Sequence, residues 1–329
     1  MIYLKKNFDF FISSKFIVIL VSFIYSILIG SGYIGFGIDY LVIYQKHNVQ
    51  SPTYFDYFGW KFSTLSFYGI HLGAYLVSFL ISLSCGFLCR TFFKKMHLNS
   101  LLIFLIVYVL IIFSWPAVIS SNNAMRQGTA MSFIFFSLIL LDNKKIILSI
   151  FFLIISLFTH KSSAAFFLTF IFLFLFKIIQ KDKEKKNTAL LFGLIYFLIS
   201  FLLFSSLERY DHDRFNNNVI IGINFIPIFF LINIIYIIYF SIRAYLLKNN
   251  INLYLYFFSM QSIALLPSGL FWQYERYNLT SILLYIFSFA TCIVKDQIYI
   301  YLIAVFSLLL TLTFLTGMYT VGIGIFPIF

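Results

Sequence analysis

Arg126 is the residue whose setting in this sequence most strongly indicates chemistry. It lies in the polar stretch SSNNAMRQGT, residues 120–129, directly before a long apolar segment. Asn122 or Asn123 is a good N-cap, so we expect Arg126 in the first turn of a helix. A cation there opposes the helix dipole, whereas an anion held by the guanidinium and the free backbone N–H groups reverses that penalty. The pattern therefore predicts a phosphate or diphosphate site at Arg126.

Two small residues beside Arg126 bear on this prediction. Gly128 and Thr129 leave room for a ligand to approach the helix start closely. The alternative is structural: the helix start packs against an aspartate or glutamate of a neighbouring loop, and the guanidinium forms a local ion pair. The residues themselves leave both explanations open.

The elements that must position these residues are membrane helices. Of the 329 residues, 62% are hydrophobic and 10% are charged, with a mean hydropathy of +0.98, whereas soluble proteins contain about 25% charged residues. The net charge of +12 is typical of a polytopic protein with basic cytoplasmic loops. No basic stripe with interleaved aromatic residues lies outside the apolar segments, so we expect no nucleic-acid partner.

The uncharged stretches predict an all-α polytopic protein with about eleven transmembrane helices, within a range of ten to twelve. The predicted spans are residues 16–34, 66–88, 98–116, 124–141, 146–160, 163–179, 188–205, 219–241, 252–271, 278–294 and 298–316. The first lacks a cleavage site and is predicted to be a signal anchor. An extra helix near residues 50–62 or 317–329 would change only the last part of the topology. No linker or repeat is visible, so residues 1–329 are predicted to form a single membrane domain.

The distribution of Lys and Arg predicts a cytoplasmic N-terminus. With that orientation, 16 of the basic residues fall on the inner side and 7 on the outer side, as the positive-inside rule requires. The C-terminus is then predicted outside. The outer segments also hold 6 of the 11 acidic residues, and such mixed charges in short loops suggest a site rather than a topology signal.

Some charges are predicted to lie deep in the membrane. Fifteen uncharged residues separate the members of three consecutive pairs, Arg126 and Asp142, Lys145 and Lys161, and Lys161 and Lys177. Such a stretch spans about 24 Å as a helix, less than the about 30 Å of a hydrocarbon core. Two explanations are open for Arg126 and for the adjacent residues His160 and Lys161. Their side chains either face a cavity that binds a ligand, or they snorkel to the interface, which applies to Lys161 above all.

The remaining candidate residues lie in predicted outer segments. They are Asp39, Tyr40, Tyr44, Arg209, Asp211, Asp213, Arg214 and Arg276. The two tyrosines follow a glycine-containing segment and could contact sugar rings, while four outer arginines, including Arg126, suit a diphosphate or an acidic sugar. For each residue alone, a local ion pair explains the sequence as well as a ligand contact does, and Asp39 could instead cap an interfacial helix.

Signature motifs of several enzyme classes are absent from the sequence. It contains no His-Glu-x-x-His, Gly-x-Ser-x-Gly, Walker A or dinucleotide-glycine pattern, so metalloprotease, serine hydrolase, ATPase and nicotinamide-enzyme activities lack support. Cys85, Cys89 and Cys292 have no partners at zinc-ligand spacing and cannot build a disulfide framework. We expect them to be packing residues, and we expect no metal and no cofactor.

Three short motifs resemble the EpsG-like family of bacterial polysaccharide polymerases, which belongs with the Wzy-type O-antigen and capsule polymerases. They are Gly37-Ile38-Asp39-Tyr40 with Tyr44 after the first span, Arg126-Gln127 with Ala130 opening the fourth, and His160-Lys161-Ser162-Ser163 between the fifth and sixth. The motifs cover residues 36–170, and the hydropathy pattern covers the whole chain. Many of these polymerases and the related ligases carry a long outer loop, whereas the largest outer segment here is about residues 35–65, which argues against a ligase.

The resemblance implies a glycosyltransferase of the bacterial plasma (inner) membrane whose active site faces the periplasm. It would join undecaprenyl-diphosphate-linked oligosaccharide repeat units at the outer leaflet, releasing undecaprenyl diphosphate without a metal or cofactor. Arg126 would hold the diphosphate, and His160 or Asp39 would accept the proton of the acceptor hydroxyl. Residues that assist in binding the substrate would be Gln127, Arg209, Arg214, Arg276, Asp211, Asp213, Tyr40 and Tyr44. Asp211 and Asp213 would also be alternative bases. A chain-length regulator and a flippase would be functional partners.

Two other functions compete with this interpretation. A flippase for the same lipid-linked oligosaccharide would also need a cationic cavity, but transporters usually place charges mid-membrane along a path and often show repeated halves. A membrane O-acyltransferase or a ligase could use a histidine and an arginine. An acyltransferase would take its donor from the cytoplasm, however, and no inner histidine other than His97 stands out. The polymerase is the preferred interpretation.

Overall fold

In the computed structural model of the protein, the described part of the chain consists of helices and short connections. The structure describes residues 2–31, 57–68, 70–95, 97–122, 124–179, 185–206, 226–242, 250–267, 277–278 and 280–285. The helices there are α1 (Ile2–Gly30), α2 (Tyr57–Thr64), α3 (Leu72–Lys95), α4 (Leu101–Ile112), α5 (Trp115–Asn122), α6 (Met125–Asp142), α7 (Ile146–Thr159), α8 (Ser163–Ile179), α9 (Lys185–Ser206), α10 (Ile226–Ile242) and α11 (Asn250–Leu265). Residues 277–278 and 280–285 are also helical. The described residues contain no strand beyond one isolated bridge between Phe67 and Ile70, so the predicted all-α polytopic membrane protein is confirmed.

The helices do not correspond one to one with the predicted spans. The predicted span 98–116 is two helices, because Pro116 has no N–H to donate to the Ile112 carbonyl and α4 ends there. The Ser114 hydroxyl donates to the Ile111 carbonyl at 2.6 Å in the break. The short helix α2 overlaps residues 50–62, one of the two places where the sequence leaves room for an extra helix. The last predicted span, 298–316, lies outside the described residues.

Several helices are shorter than a bilayer is thick. By length and composition, three described helices could span a membrane: Ile12–Gly30 within α1, Leu72–Lys95 (α3) and Asn187–Ser205 within α9. Shorter apolar helices are Leu101–Ile112, Ile146–Thr159, Ser163–Ile179 and Phe229–Ser241. The 14 residues of α7 correspond to about 21 Å of helix. This length is shorter than the hydrocarbon core, and the depth of the residues that follow α7 stays a prediction.

The described residues form two compact units, one within residues 1–161 and one within residues 162–288. The prediction of a single membrane domain stays a prediction. In the first unit, α3 packs against α1, α2, α4, α5 and α6. The Tyr108 hydroxyl of α4 lies 2.9 Å from Ser22 Oγ of α1 and 2.8 Å from Ser82 Oγ of α3. Hydrogen bonds of this kind join apolar helices in a medium that offers no water to polar groups.

One end of the first unit, which we call the Lys95 end, gathers residues from three helices. Lys95 of α3 forms an ion pair with Asp142 at the end of α6. Arg90 Nε donates to Ser14 Oγ of α1 at 3.2 Å. The Lys95 end therefore brings together charged residues that the charge count placed on the inner side.

The opposite end, which we call the Arg126 end, comprises α2, the start of α3, the start of α6 and the end of α7. Gly73 of α3 packs directly on α2, since a Cβ added to Gly73 would lie only 2.4 Å from the Ser63 carbonyl oxygen. Because α6 runs from Met125 to Asp142, Arg126 lies a helix length away from the Lys95 end. The candidate residues Arg126 and His160 are thus at the same end.

The second unit is organised around α11, which packs against α8, α9 and α10. A buried polar network joins its helices: Asn233 donates to Asn278 Oδ1 at 2.6 Å, Asn278 donates to Ser262 Oγ at 2.7 Å, and the Tyr285 hydroxyl donates to Asn233 Oδ1 at 2.8 Å. These side chains are at most 2% exposed. Because they satisfy one another, the network specifies helix packing rather than a ligand site.

Candidate functional site

Arg126 lies in the first turn of α6, as predicted. The predicted N-cap is wrong, however, because the N-cap residue is Ala124, with φ −90° and ψ 49°, and no side chain caps the helix. Asn122 is instead the last residue of α5. The connection is so short that the Ala124 N–H donates back to the Ile119 carbonyl at 2.9 Å. The N-cap residue of α6 therefore contributes no capping side chain of its own.

The space beside Gly128 is occupied, contrary to the expectation of room for a ligand. A Cβ added to Gly128 would lie 2.2 Å from the Ser120 carbonyl oxygen, because the last turn of α5 packs on it. Thr129 is fully buried and its hydroxyl donates to the Met125 carbonyl at 2.8 Å. The last turn of α5 therefore closes the Gly128 side of α6 to a ligand. The glycine serves helix packing rather than ligand access.

Trp60 of α2 lies over the guanidinium of Arg126. The Arg126 Cζ atom is 5.8 Å from the centroid of the Trp60 ring, within the range of a cation–π interaction. Arg126 is half-buried, and its Nε atom is inaccessible to solvent. A side chain that snorkelled freely would not be held in this way. No sequence pattern indicates Trp60, because a contact between residues 66 positions apart leaves no periodic signal.

His160 follows α7 as its C-cap residue. Its backbone is extended, with φ −158° and ψ 129°, and its N–H donates to the Ser156 carbonyl at 3.1 Å. The residue is 6% exposed, whereas the next residue, Lys161, is exposed. The exposure of Lys161 agrees with the snorkelling alternative, and the burial of His160 does not.

The short helix α2 connects the surroundings of Arg126 and His160. On one side Trp60 covers Arg126. On the other side, a Cβ added to Gly59 would lie 2.1 Å from the carbonyl oxygen of Thr159, the residue before His160. Because Gly59 and Trp60 are adjacent, one turn of α2 contacts both the Arg126 guanidinium and the residue that precedes His160.

The described part of the Arg126 end is strongly cationic. It carries Lys61, Arg126 and Lys161, while Asp142, the one Asp or Glu whose side chain is described, lies at the Lys95 end. Lys61 is exposed, with its Nζ atom 5.6 Å from the centroid of the Tyr57 ring. Gln127, beside Arg126, is 6% exposed. The arrangement can hold an anion next to a histidine that is able to transfer a proton.

The other predicted site residues lie outside the described residues and stay predictions. They are Asp39, Tyr40, Tyr44, Arg209, Asp211, Asp213, Arg214 and Arg276. Within the described ranges, no group of three or more His, Cys, Asp or Glu side chains could hold a metal ion. Cys85 and Cys89 are fully buried in α3, in agreement with the expectation that they are packing residues.

The described helices define a polytopic membrane protein, and the candidate residues Arg126 and His160 lie at one end of its first unit. The chain belongs to the EpsG family, whose family model matches residues 15–327. The resemblance drawn from the sequence motifs is thereby confirmed, and the protein is a membrane protein of polysaccharide biosynthesis. No curated protein and no solved structure matches the chain.

Proposed function

We propose that the protein is a polysaccharide polymerase that uses undecaprenyl-diphosphate-linked oligosaccharides as donor and acceptor. The terminal hydroxyl of the acceptor repeat unit attacks the anomeric carbon of the growing chain. The bond between that carbon and the diphosphate oxygen breaks, and undecaprenyl diphosphate leaves. The acceptor proton passes to a base, so one glycosidic bond forms for each diphosphate released. No cofactor takes part in this proposal.

The observation that carries the proposal is the setting of Arg126. The leaving group is a lipid-anchored anion at the membrane boundary, where it needs donors that are already oriented. Arg126 lies in the first turn of α6, and in this proposal the guanidinium and the N-terminus of that helix face the same diphosphate. In this proposal Gln127 lies beside the diphosphate, and Arg209, Arg214 and Arg276 assist.

His160 is our first candidate for the base. It is buried at the same end as Arg126 and directly follows Thr159, which contacts α2, and a neutral imidazole can accept the acceptor proton. Asp39 is the alternative base, and Asp211 and Asp213 are the next candidates. Tyr40 and Tyr44 would contact sugar rings.

The proposal places the Arg126 end at the periplasmic side of the bacterial plasma membrane. Lys94 and Lys95 lie at the other end, and the lysines after α6, Lys144 and Lys145, follow its residue Asp142. A surplus of lysine is typical of the cytoplasmic side. A flippase that delivers repeat units and a chain-length regulator are the proposed functional partners.

The proposal is tested on a gel of surface polysaccharide from a deletion strain. The strain carries wild type, Arg126→Ala, Lys94→Ala or an empty vector, and the membrane level of each protein is measured. Lys94 is exposed at the Lys95 end, so its replacement is a matched loss of one cation. We expect a ladder for wild type and Lys94→Ala, and a single repeat unit on the acceptor for Arg126→Ala and the empty vector.

Two results would contradict the proposal in different ways. If the deletion strain lacks even the single repeat unit, the protein acts in export or ligation rather than in polymerisation. If Arg126→Ala gives a full ladder at normal protein level, Arg126 does not hold the diphosphate.

A further inference from the structure

We infer that the exposed face of α2 and the turn that follows it bind the headgroup region of the phospholipid bilayer and anchor the Arg126 end at the membrane boundary. This surface, which we call the α2 surface, comprises the exposed side chains of Tyr57, Phe58, Lys61, Leu65, Phe67 and Tyr68. The inference does not depend on the proposed reaction, and it applies to either orientation of the protein in the membrane.

Burial along α2 is the reverse of that expected for a helix that faces water. Such a helix buries its apolar side and exposes its polar side. The buried residues of α2 are Gly59 and Ser63, whereas Tyr57, Phe58 and Lys61 are exposed. Because Tyr57 and Lys61 are one helical turn apart and Phe58 is adjacent to Tyr57, these three side chains share one face. That face is suited to an apolar environment that also accepts one cation.

The turn after α2 exposes two aromatic rings on a strained backbone. The backbones of Phe67 and Ile70 exchange two hydrogen bonds, each 2.9 Å long. Tyr68, between them, has φ 47°, in the left-handed region that residues with bulky side chains rarely adopt. Tyr68 is 90% exposed and Phe67 is 61% exposed. The turn presents its rings outward despite an unfavourable conformation, which points to a contact outside the protein's own packing.

The α2 surface lies beside the start of a helix that is long enough to span a membrane. The Gly73 N–H of α3 donates to the Leu65 carbonyl at 2.8 Å. The 24 residues of α3 correspond to about 36 Å of helix, and a hydrocarbon core is about 30 Å thick. Lys94 and Lys95 lie in the last turn of α3. When these lysines are at one membrane boundary, the α2 surface is therefore at the other.

The chemistry of the α2 surface fits lipid headgroups better than it fits water or a saccharide. Tyrosine is enriched at membrane–water boundaries, where its ring lies in an apolar layer and its hydroxyl meets water. Lys61 supplies a positive charge that is complementary to lipid phosphate, and its aliphatic stem can lie on apolar surface. The side chains of Phe58 and Leu65 offer no hydrogen bond to a sugar. Phospholipid is therefore the partner that the surface fits.

A lipid contact of α2 acts on the candidate site because α2 contacts both helices that carry it. The Trp60 ring lies 5.8 Å from Arg126 Cζ at the start of α6. A Cβ added to Gly59 would lie 2.1 Å from the Thr159 carbonyl oxygen at the end of α7. Anchoring of α2 therefore fixes the depth of the Arg126 end in the membrane.

The experiment measures the depth of a fluorescent label on the α2 surface in nanodiscs of phosphatidylglycerol and phosphatidylcholine. The full-length protein keeps the fully buried Cys85 and Cys89, and Cys292 is changed to serine. A nitrobenzoxadiazole label is attached to Tyr68→Cys and, in a second variant, to Leu65→Cys. The quenchers are iodide in water, a nitroxide on the lipid headgroup and a nitroxide at the end of the acyl chain.

Lys144→Cys is the matched control. Lys144 is exposed and has a left-handed backbone with φ 62°, as Tyr68 does, but it lies in a polar turn at the Lys95 end. The headgroup nitroxide should quench the label at Tyr68→Cys about twofold more than the chain-end nitroxide does. Iodide should quench that label about threefold less than it quenches the label at Lys144→Cys.

Three results would overturn the inference. Equal quenching of both labels by iodide, with no effect of the headgroup nitroxide at Tyr68→Cys, would show that the α2 surface faces water, as a saccharide-binding surface would. Stronger quenching by the chain-end nitroxide would place the turn within the hydrocarbon core. A label at Tyr68→Cys that no quencher reaches would show that a protein surface, such as a second copy of the chain, covers it.

A second comparison tests whether the exposed rings hold the turn at this depth. The label is placed at Leu65→Cys, and Phe67→Ser and Tyr68→Ser together remove the two rings. We expect iodide quenching at Leu65→Cys to rise about twofold, because the turn then moves towards water, while the label at Lys144→Cys is unaffected. Unchanged quenching would show that the rings are not an anchor and would overturn the inference. Unfolding temperatures identify a variant that fails to fold, in which case the remaining labelled variant decides.

Discussion

At the scale of single residues, burial separates the candidates that the sequence placed at similar depth. Lys161 is exposed, whereas His160 is 6% exposed and Arg126 is half-buried beneath Trp60. These positions could be identified from the sequence, because charged residues separated by only 15 uncharged residues are unusual in a membrane protein. Trp60 could not be identified in this way, because its contact with Arg126 is tertiary.

His160→Gln should lower the initial rate of polymer formation in membranes by about 100-fold, because the variant keeps a polar side chain but loses the base. The backbone bond from the His160 N–H to the Ser156 carbonyl does not depend on the side chain, so the protein level should be unchanged. His97→Gln, which changes an exposed histidine after α3, is the matched control. A wild-type rate for His160→Gln would contradict the role of His160 and move the proton acceptor to Asp39.

At the scale of elements, hydropathy predicts the long helices, because each of them is a continuous apolar stretch that is either buried or exposed to lipid. It did not predict the break at Ser114, because the apolar run continues to Pro116 and only the missing proline N–H interrupts it. Hydropathy does not assign a helix at α2, since eight residues are too few for a periodic signal. The N-cap prediction failed because the tight connection between α5 and α6 outweighed the preference of asparagine.

Gly59→Ala should separate α2 from α7, because the new Cβ would lie 2.1 Å from the Thr159 carbonyl oxygen, a backbone atom that cannot rotate away. Overpacking of this kind destabilises proteins by about 1–3 kcal/mol. We expect a lower unfolding temperature in detergent and a shortened polysaccharide ladder. Phe58→Leu, at the preceding position, should change neither. An unaltered ladder at a normal unfolding temperature would mean that α2 tolerates displacement and does not connect Arg126 with His160.

At the scale of the whole molecule, the first unit has two chemically different ends. The Lys95 end holds an ion pair and an Arg90–Ser14 hydrogen bond, and the Arg126 end holds the candidate site. The charge count of the sequence predicts which end is cytoplasmic, but it says nothing of which residues meet there. Contacts such as that between Ser14 and Arg90, 76 positions apart, follow from helix packing and require the structure.

The proposed orientation can be measured by labelling single cysteines in intact cells with a membrane-impermeant maleimide. Cys85 and Cys89 are fully buried and can stay, while Cys292 is changed to serine. We expect Lys161→Cys to be labelled from outside, and Lys94→Cys to be labelled only after the membrane is permeabilised. Both positions are exposed, so each serves as the control of the other. The reverse pattern would place the Arg126 end in the cytoplasm and contradict the proposed reaction at the outer leaflet.

Polymerase activity is tested most directly by reconstituting the purified protein with undecaprenyl-diphosphate-linked repeat units as the only substrate. We expect oligosaccharide chains of two or more units, with one undecaprenyl diphosphate released for each bond formed, and a rate about 100-fold lower for Arg126→Ala. Movement of intact repeat units across the bilayer without new glycosidic bonds would instead identify the protein as a transporter.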